Sequence, residues 1–377
     1  MSQFSILPYT TADNEGAKAL CRIPVSGNIV LSLEREEDYL AGAFLQCEQP
    51  DVYVCRETKT GQVCGLFNVG FRRVFVNGEV RTQRYFSDLR IAPAFQKSRL
   101  FYQIIRYVTQ NNLVPVGQEA AQTIVFTDNA VFQNMIQKRK DNSRFPKYHF
   151  ANDYFTHIVS LSSPKNPFQR PSLRRSPVGQ YKPRKATIND ASLMQSFLMQ
   201  HAPEKQSYPF YDYLKMETPY YNGLKITDYY LAFEADELVG FCAKWHQKDI
   251  KQTRIVGYSR LFSIVRPLAN AFSKLFGGFQ LPPAGTVLNY FYVHNILISI
   301  NRADVFEALL HAIFEEYKRH EFAYFMVGLC QNDALLTVFE KVKNKRTVQG
   351  KLYWVNDGTP PETFMDKRQI YVDIGRI

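Results

Sequence analysis

"SDLRIAPAFQKSRLFYQII", residues 87–105, carries the reading of the fold. An extended run ends near Pro93, and apolar residues then recur at helical spacing, so the segment predicts a strand turning directly into a helix. The first amides of a helix have no internal partners, and turns of this kind commonly hold phosphate. Such loops usually contain glycine, which lets the backbone approach a ligand closely. This one has none and carries Lys97 and Arg99 instead, so it reads either as a cofactor loop without its glycines or as an ordinary strand-to-helix turn.

The pattern extends outward on both sides. Before it, "DVYVCRETKTGQVCGLFNVGF" (51–71) predicts a hairpin with a Thr-Gly turn, and "EVRTQRYFSDLRIAP" reads as one long strand. After it, "LFYQIIRYVTQNN" places Phe101, Ile104, Ile105 and Val108 on one helix face. "TIVFTDNAVFQNMIQKR" then predicts a short strand and a helix starting at Asn129.

The same order recurs later. "DYYLAFEADELVGFCAKW" (228–245) is a second hairpin, "TVLNYFYVHNILISI" a second long strand, and Phe306, Leu309, Leu310 and Ile313 share a second helix face. "YFMVGLCQNDALLTVFEKV" repeats the strand, Asn and helix. Gln96 and Asn301 are 205 positions apart and Asn129 and Asn332 are 203, whereas the hairpin glycines Gly65 and Gly240 are 175 apart. The second copy has therefore gained a segment, 259–286, within an insertion region of about 255–286. Between the copies, 162–185 holds five prolines, seven basic residues and no carboxylate, the composition of a linker. The division expected is 1–161, a linker at 162–185, and 186–377.

The chain has 377 residues, enough for two domains, with 45% hydrophobic and 21% charged residues. A net charge of +11 suits either a well-solvated surface or an anionic partner: a phosphorylated cofactor, an acidic membrane surface or nucleic acid, although no nucleic-acid motif stands out. Six scattered cysteines without Cys-x-x-Cys spacing argue against zinc and for a reduced compartment. The start has no basic, apolar leader pattern, and no apolar run is long enough to span a membrane. The expected location is the cytoplasm.

The βα plan with a central strand, a phosphate-facing turn and an Asn-started helix resembles the GNAT superfamily of acyl-CoA N-acyltransferases, in tandem. The family's turn follows a Val-x-Pro strand end and reads Gln/Arg-x-x-Gly-x-Gly/Ala. Here Ile91-Ala92-Pro93 stands at the strand end and Gln96 matches, while Arg99 and Phe101 occupy the glycine positions. The resemblance runs from about residue 4 to 161 and more faintly from 186 onward. It implies an α/β (α+β) fold of two tandem GNAT-like domains, each a mixed, mostly antiparallel sheet flanked by helices.

It further implies acetyl-CoA or another acyl-CoA as co-substrate, a primary amine as acceptor and no metal. Residues implied at the CoA site are Leu89, Arg90, Ile91, Gln96, Lys97, Ser98, Arg99, Leu100, Phe101 and Asn129. The amide of Leu89 or Arg90 would polarise the thioester. The family's tyrosine acid, seven residues after the helix-starting Asn, is replaced by Ile136 in the first copy and Phe339 in the second. The second turn, Asn301-Arg302-Ala303-Asp304, places a carboxylate where a pyrophosphate would lie, so the first copy is expected to keep the cofactor.

Among other groups, Asp88 and Tyr85 are candidates for proton transfer, with an exposed strand carboxylate and a core tyrosine as the plain alternatives. Tyr208, Tyr211 and Tyr213 are candidates for walling the acceptor site, or else core. His294, on the second central strand, reads as a structural histidine rather than a base. The insertion, apolar and basic, fits either a lid packed on the protein or peripheral contact with a membrane. A non-catalytic binding or scaffold protein on the same fold is the alternative function.

Overall fold

Both expected hairpins form: Val52–Glu57 pairs with Val63–Asn68, and Tyr229–Glu234 with Glu237–Trp245. The structure, a computed structural model, describes residues 3–25, 27–139, 145–163, 165–168, 181–276, 280–318, 320–343 and 345–377. Each hairpin passes to its central strand through the glycine noted above, Gly65 facing Ile91 and Gly240 facing Ile298. A Cβ on Gly65 would lie 3.2 Å from both the Arg90 carbonyl and a Leu100 methyl, and one on Gly240 would lie 2.7 Å from Ile298 Cδ1. The glycines are thus needed for close approach of strand and following helix.

The sheets are mixed and mostly antiparallel, with helices against them. One has four strands in the order Phe4–Pro8, Val52–Glu57, Val63–Asn68, Ser87–Ile91. A second has eight: Arg184–Lys185, Tyr229–Glu234, Glu237–Trp245, Tyr290–Ile298, Tyr324–Cys330, Lys147–Ser160, Lys345–Asn356, Ala121–Phe126. The first copy's last strand, Lys147–Ser160, therefore lies between two strands of the second copy, and Lys345–Asn356 reaches back to Ala121–Phe126.

Two sequence expectations need correction. The run 79–91 is two strands, because Glu79–Arg84 pairs with Phe71–Val76 while Ser87–Ile91 pairs with Val63–Asn68. Between them the Tyr85 amide bonds to the Gly70 carbonyl and the Phe86 amide to the Gln122 carbonyl, which turns the chain from one sheet to the other. The helix Leu100–Gln110 buries Leu100, Ile104, Ile105 and Val108, so Leu100 rather than Phe101 heads its inner face. Phe101 is half-buried, 6.3 Å from the Phe145 ring. Much of the linker expected at 162–185 lies outside the described residues. Phe168 and Tyr181 are buried in the main core, and Arg184–Lys185 joins the large sheet; residues 164 and 169–180 lie outside the described set.

The insertion is a strand, Gln252–Tyr258, followed by the helix Arg260–Phe276. The strand pairs antiparallel with Ile29–Glu34 of the first copy, so the insertion spans both copies.

Candidate functional site

In the first copy, Ser87–Ile91 is the edge strand of its sheet. It touches Ala121–Phe126 only at its root, through the Tyr85–Gln122 bridge and the Phe86 bonds to Gln122 and Thr123, and the two strands then part. Asp88, at the parting, has φ of 53°, a left-handed conformation that places a bulge there. Leu89 beyond it is 37% exposed. The edge from Asp88 to Ile91 thus offers backbone groups to an extended, amide-rich ligand.

The second copy repeats this geometry and closes it. Tyr290–Ile298 runs parallel to Tyr324–Cys330 as far as Val293–Val327, then leaves it, and Asn295 has φ of 51° at the position matching Asp88. Here the gap is filled by the chain itself. The Asn295 amide bonds to the Asp373 carboxylate at 3.1 Å and the Ile296 amide to the Tyr371 hydroxyl at 2.8 Å. Gly375 packs so closely that a Cβ would lie 2.7 Å from both His294 Nδ1 and the Trp245 ring.

The two helix starts differ in the same sense. Arg302 at the second turn is taken up by Glu234 (2.6 Å) and Asp304 (3.4 Å), and Asp304 also accepts from Tyr181 and the Val305 amide. At the first turn Lys97 and Arg99 are exposed and make no ion pair among the described residues. Ser98 closes the turn locally, donating to the Phe95 carbonyl (2.6 Å) and accepting from the Leu100 amide (3.1 Å). Gln96 donates to the Ile91 carbonyl at 3.3 Å, and Arg90 lies partly buried on the strand. Asn129 caps its helix by accepting from the Phe132 amide at 3.2 Å.

No protein-family model and no curated protein matches the sequence. Solved structures do. Saccharomyces cerevisiae N-myristoyltransferase, solved with bound myristoyl-CoA, aligns with 99% of this chain and 86% of its own at 9% identity and a TM-score of 0.57. A GCN5-related N-acetyltransferase from Sphaerobacter thermophilus aligns with 94% of this chain and 96% of its own at 12% identity and a TM-score of 0.52. The fold is that of the GCN5-related N-acetyltransferases. These neighbours are acyltransferases, and acyl transfer is the chemistry the GNAT fold carries in both.

On this GNAT frame Asp88 is not an exposed carboxylate. Its side chain is 9% exposed and ion-paired with Arg35, 4% exposed, and it accepts from the Tyr39 hydroxyl at 3.1 Å. Burial works to raise its pKa, but Arg35, with Arg90 and Lys251, outweighs burial and holds it below the usual value. Tyr85 is buried with the Arg72 guanidinium 3.8 Å from its ring centroid, and burial pushes its hydroxyl up to about 12.

Tyr208, Tyr211 and Tyr213 are all buried in the second copy. Tyr208 and Tyr213 bond Asn295, while Tyr211 bonds Asp373 and His294. His294 is fully buried against Asp373, as a structural histidine would be. At the two family tyrosine positions, Ile136 packs on the Ala121 and Tyr353 cluster and Phe339 stacks on His157 at 4.4 Å.

Sequence reasoning missed Arg35, Tyr39 and Lys251. Arg35 and Lys251 stand where the Ile29–Glu34 and Gln252–Tyr258 ribbon enters the site, about 216 positions apart, and only that pairing brings them together. Burial, with Arg35 beside it, pulls the Lys251 ammonium down to about 7, Asp88 opposing. Its Nζ donates to the Ile377 carbonyl oxygen at 2.6 Å. Arg35 Nη1 and Arg90 Nε are buried without a hydrogen-bond partner, two unused donors on the arginines that neutralise Asp88.

Proposed function

We propose that the protein is an acyl-CoA N-acyltransferase that moves an acyl group, most simply acetyl, from CoA to a primary amine, with the donor on the first copy. The observation that carries this reading is the contrast between the open edge at Asp88–Ile91 and its counterpart at Asn295–Ile296, occupied by Asp373 and Tyr371. Pantetheine would pair along Leu89–Ile91. The diphosphate would lie before the Leu100–Gln110 helix, near Lys97 and Arg99.

The Leu89 or Arg90 amide would polarise the thioester carbonyl as the amine attacks and the thiolate leaves. Asp88, ionised and fixed by Arg35 and Tyr39, is suited to orient groups rather than to take a proton. Lys251, poised near neutrality, is suited to accept the proton of the incoming ammonium. Tyr85, buried beneath Arg72, acts as core rather than as a proton donor. The second copy, its cleft filled, supports the first. The reading places the enzyme in the cytoplasm, and six free cysteines, all buried, support that placement.

The test begins with melting the full chain in the presence of acetyl-CoA, myristoyl-CoA and CoA. A ligand at a hundredfold excess over its Kd stabilises by about 2.7 kcal/mol. No shift with any of the three at millimolar concentration would sink the proposal. Thiol release with an amine panel then separates an enzyme from the second reading, a binding protein on this fold. Ile136, Phe339 and the Phe101–Phe145 contact favour that second reading, which predicts a shift without turnover.

A further inference from the structure

The helix Arg260–Phe276 is amphipathic but faces the wrong way for a packed element. Its inner face, as far as Asn270, carries the half-buried Phe262 and two polar side chains: Arg266 donates to the Pro282 carbonyl (3.2 Å), and Asn270 both donates to and accepts from Leu281 (2.9 and 2.7 Å). Its outer face is apolar. Leu261, Ile264, Val265 and Leu268, spaced as one helical stripe, are 70, 74, 47 and 66% exposed. Four large side chains left in water on one stripe mark a contact surface rather than ordinary scatter.

The charge around the stripe selects the partner. The segment 259–286 that carries the stripe holds no Asp or Glu, while Arg260, Arg266 and Lys274 occur in it. Arg260, at the start of the helix, is exposed. No described helix is long and apolar enough to cross a membrane, so such a helix would lie on the surface.

We propose that Arg260–Phe276 docks the protein on an anionic lipid surface, with Leu261, Ile264, Val265 and Leu268 entering the acyl boundary and the surrounding cations meeting the headgroups. The ribbon of Gln252–Tyr258 and Ile29–Glu34 carries this helix, and it begins at Lys251 and Arg35 beside Asp88. At about 3.3 Å per residue it holds the candidate site roughly 20 Å from the docked helix. A catalytic site so placed would be presented to amines at or near the bilayer.

The full chain is sedimented with phosphatidylcholine vesicles, with and without phosphatidylglycerol. Binding is expected only when phosphatidylglycerol is present and is expected to weaken at high salt. Leu261→Asp combined with Ile264→Asp lowers it at least about tenfold, with an unchanged melting temperature because both positions are exposed. Arg260→Glu gives a second, independent loss should the double variant misfold. Absence of binding to phosphatidylglycerol vesicles overturns the proposal, as does binding that the folded double variant retains. A dimer in light scattering that the double variant dissolves also overturns it, by assigning the stripe to a second copy of the chain.

Discussion

At the scale of single residues, the site turns on how Asp88 is held. Left-handed backbone is tolerated by Asp and Asn, and the matching residue of the second copy is Asn295 at nearly the same φ. Asp88→Asn should therefore keep the bulge and strip the buried Arg35 of its counter-ion. Breaking a buried pair in this way costs about 3 kcal/mol or more, so the urea midpoint should fall while the circular dichroism spectrum stays the same. A midpoint equal to that of the wild type would mean Arg35 is compensated elsewhere.

Lys251 gives a pH signature. Its folded pKa, about 7, lies below its ordinary value of 10.5, so above pH 7 the unfolded chain binds more protons and stability rises with pH. Below pH 7 both states are protonated and the dependence vanishes. The buried cysteines work the other way: burial raises Cys47 to about 12 and Cys64 to about 11, so stability declines once unfolded thiols ionise. The Lys251 contribution is therefore isolated between about pH 7 and 8. Wild type should gain stability there relative to Lys251→Met, and parallel curves would show that Lys251 titrates normally.

At the scale of elements, the turn before Leu100–Gln110 is where binding should be tested without disturbing the fold. Lys97 and Arg99 are exposed, so Lys97→Glu with Arg99→Glu should leave the melting temperature unchanged while weakening acetyl-CoA binding about tenfold or more, read by calorimetry. Equal affinity would move the diphosphate away from this turn. The elements themselves were legible because their signals are local. Both hairpins show turn residues between β-rich runs, and the helix 303–317 shows its buried face at Phe306, Leu309, Leu310 and Ile313. What was not legible depends on partners distant in the chain. The break at Tyr85–Phe86 is set by Gly70 and Gln122, and Asp88 is buried by an arginine 53 positions earlier. That Leu100 rather than Phe101 heads the buried face of the first helix goes with its contact with Gly65 on a strand more than thirty positions away. Tyrosine spacing at 208–213 looks the same whether the rings line a cleft or fill one, and here the tail from Tyr371 to Arg376 decides in favour of filling.

At the scale of the whole molecule, the repeat explains why one open edge can exist at all. An open edge strand with a buried, cation-rich flank is costly, and a chain with two such sites would carry that liability twice. At the matching place in the second half, the chain's own tail forms an anchor. Arg376, fully buried, donates to the Tyr211 hydroxyl and to the carbonyls of Leu45 and Tyr220, so the anchor also ties the first copy to the second. The exchange of Lys147–Ser160 and Lys345–Asn356 adds a continuous ladder across the same seam. A fragment ending at 161 would leave Lys147–Ser160 and Ala121–Phe126 without the strand that separates and pairs them, exposing long apolar edges. Expressed alone, that fragment should aggregate or fail to unfold cooperatively. A chain cut within 169–180, between the buried anchors Phe168 and Tyr181, should instead remain one particle on gel filtration and melt in a single transition, because the seam rather than the connecting peptide joins the halves. Separation of the cut halves under native conditions would show that the shared ladder is too weak to join them, and that the two copies fold as independent units.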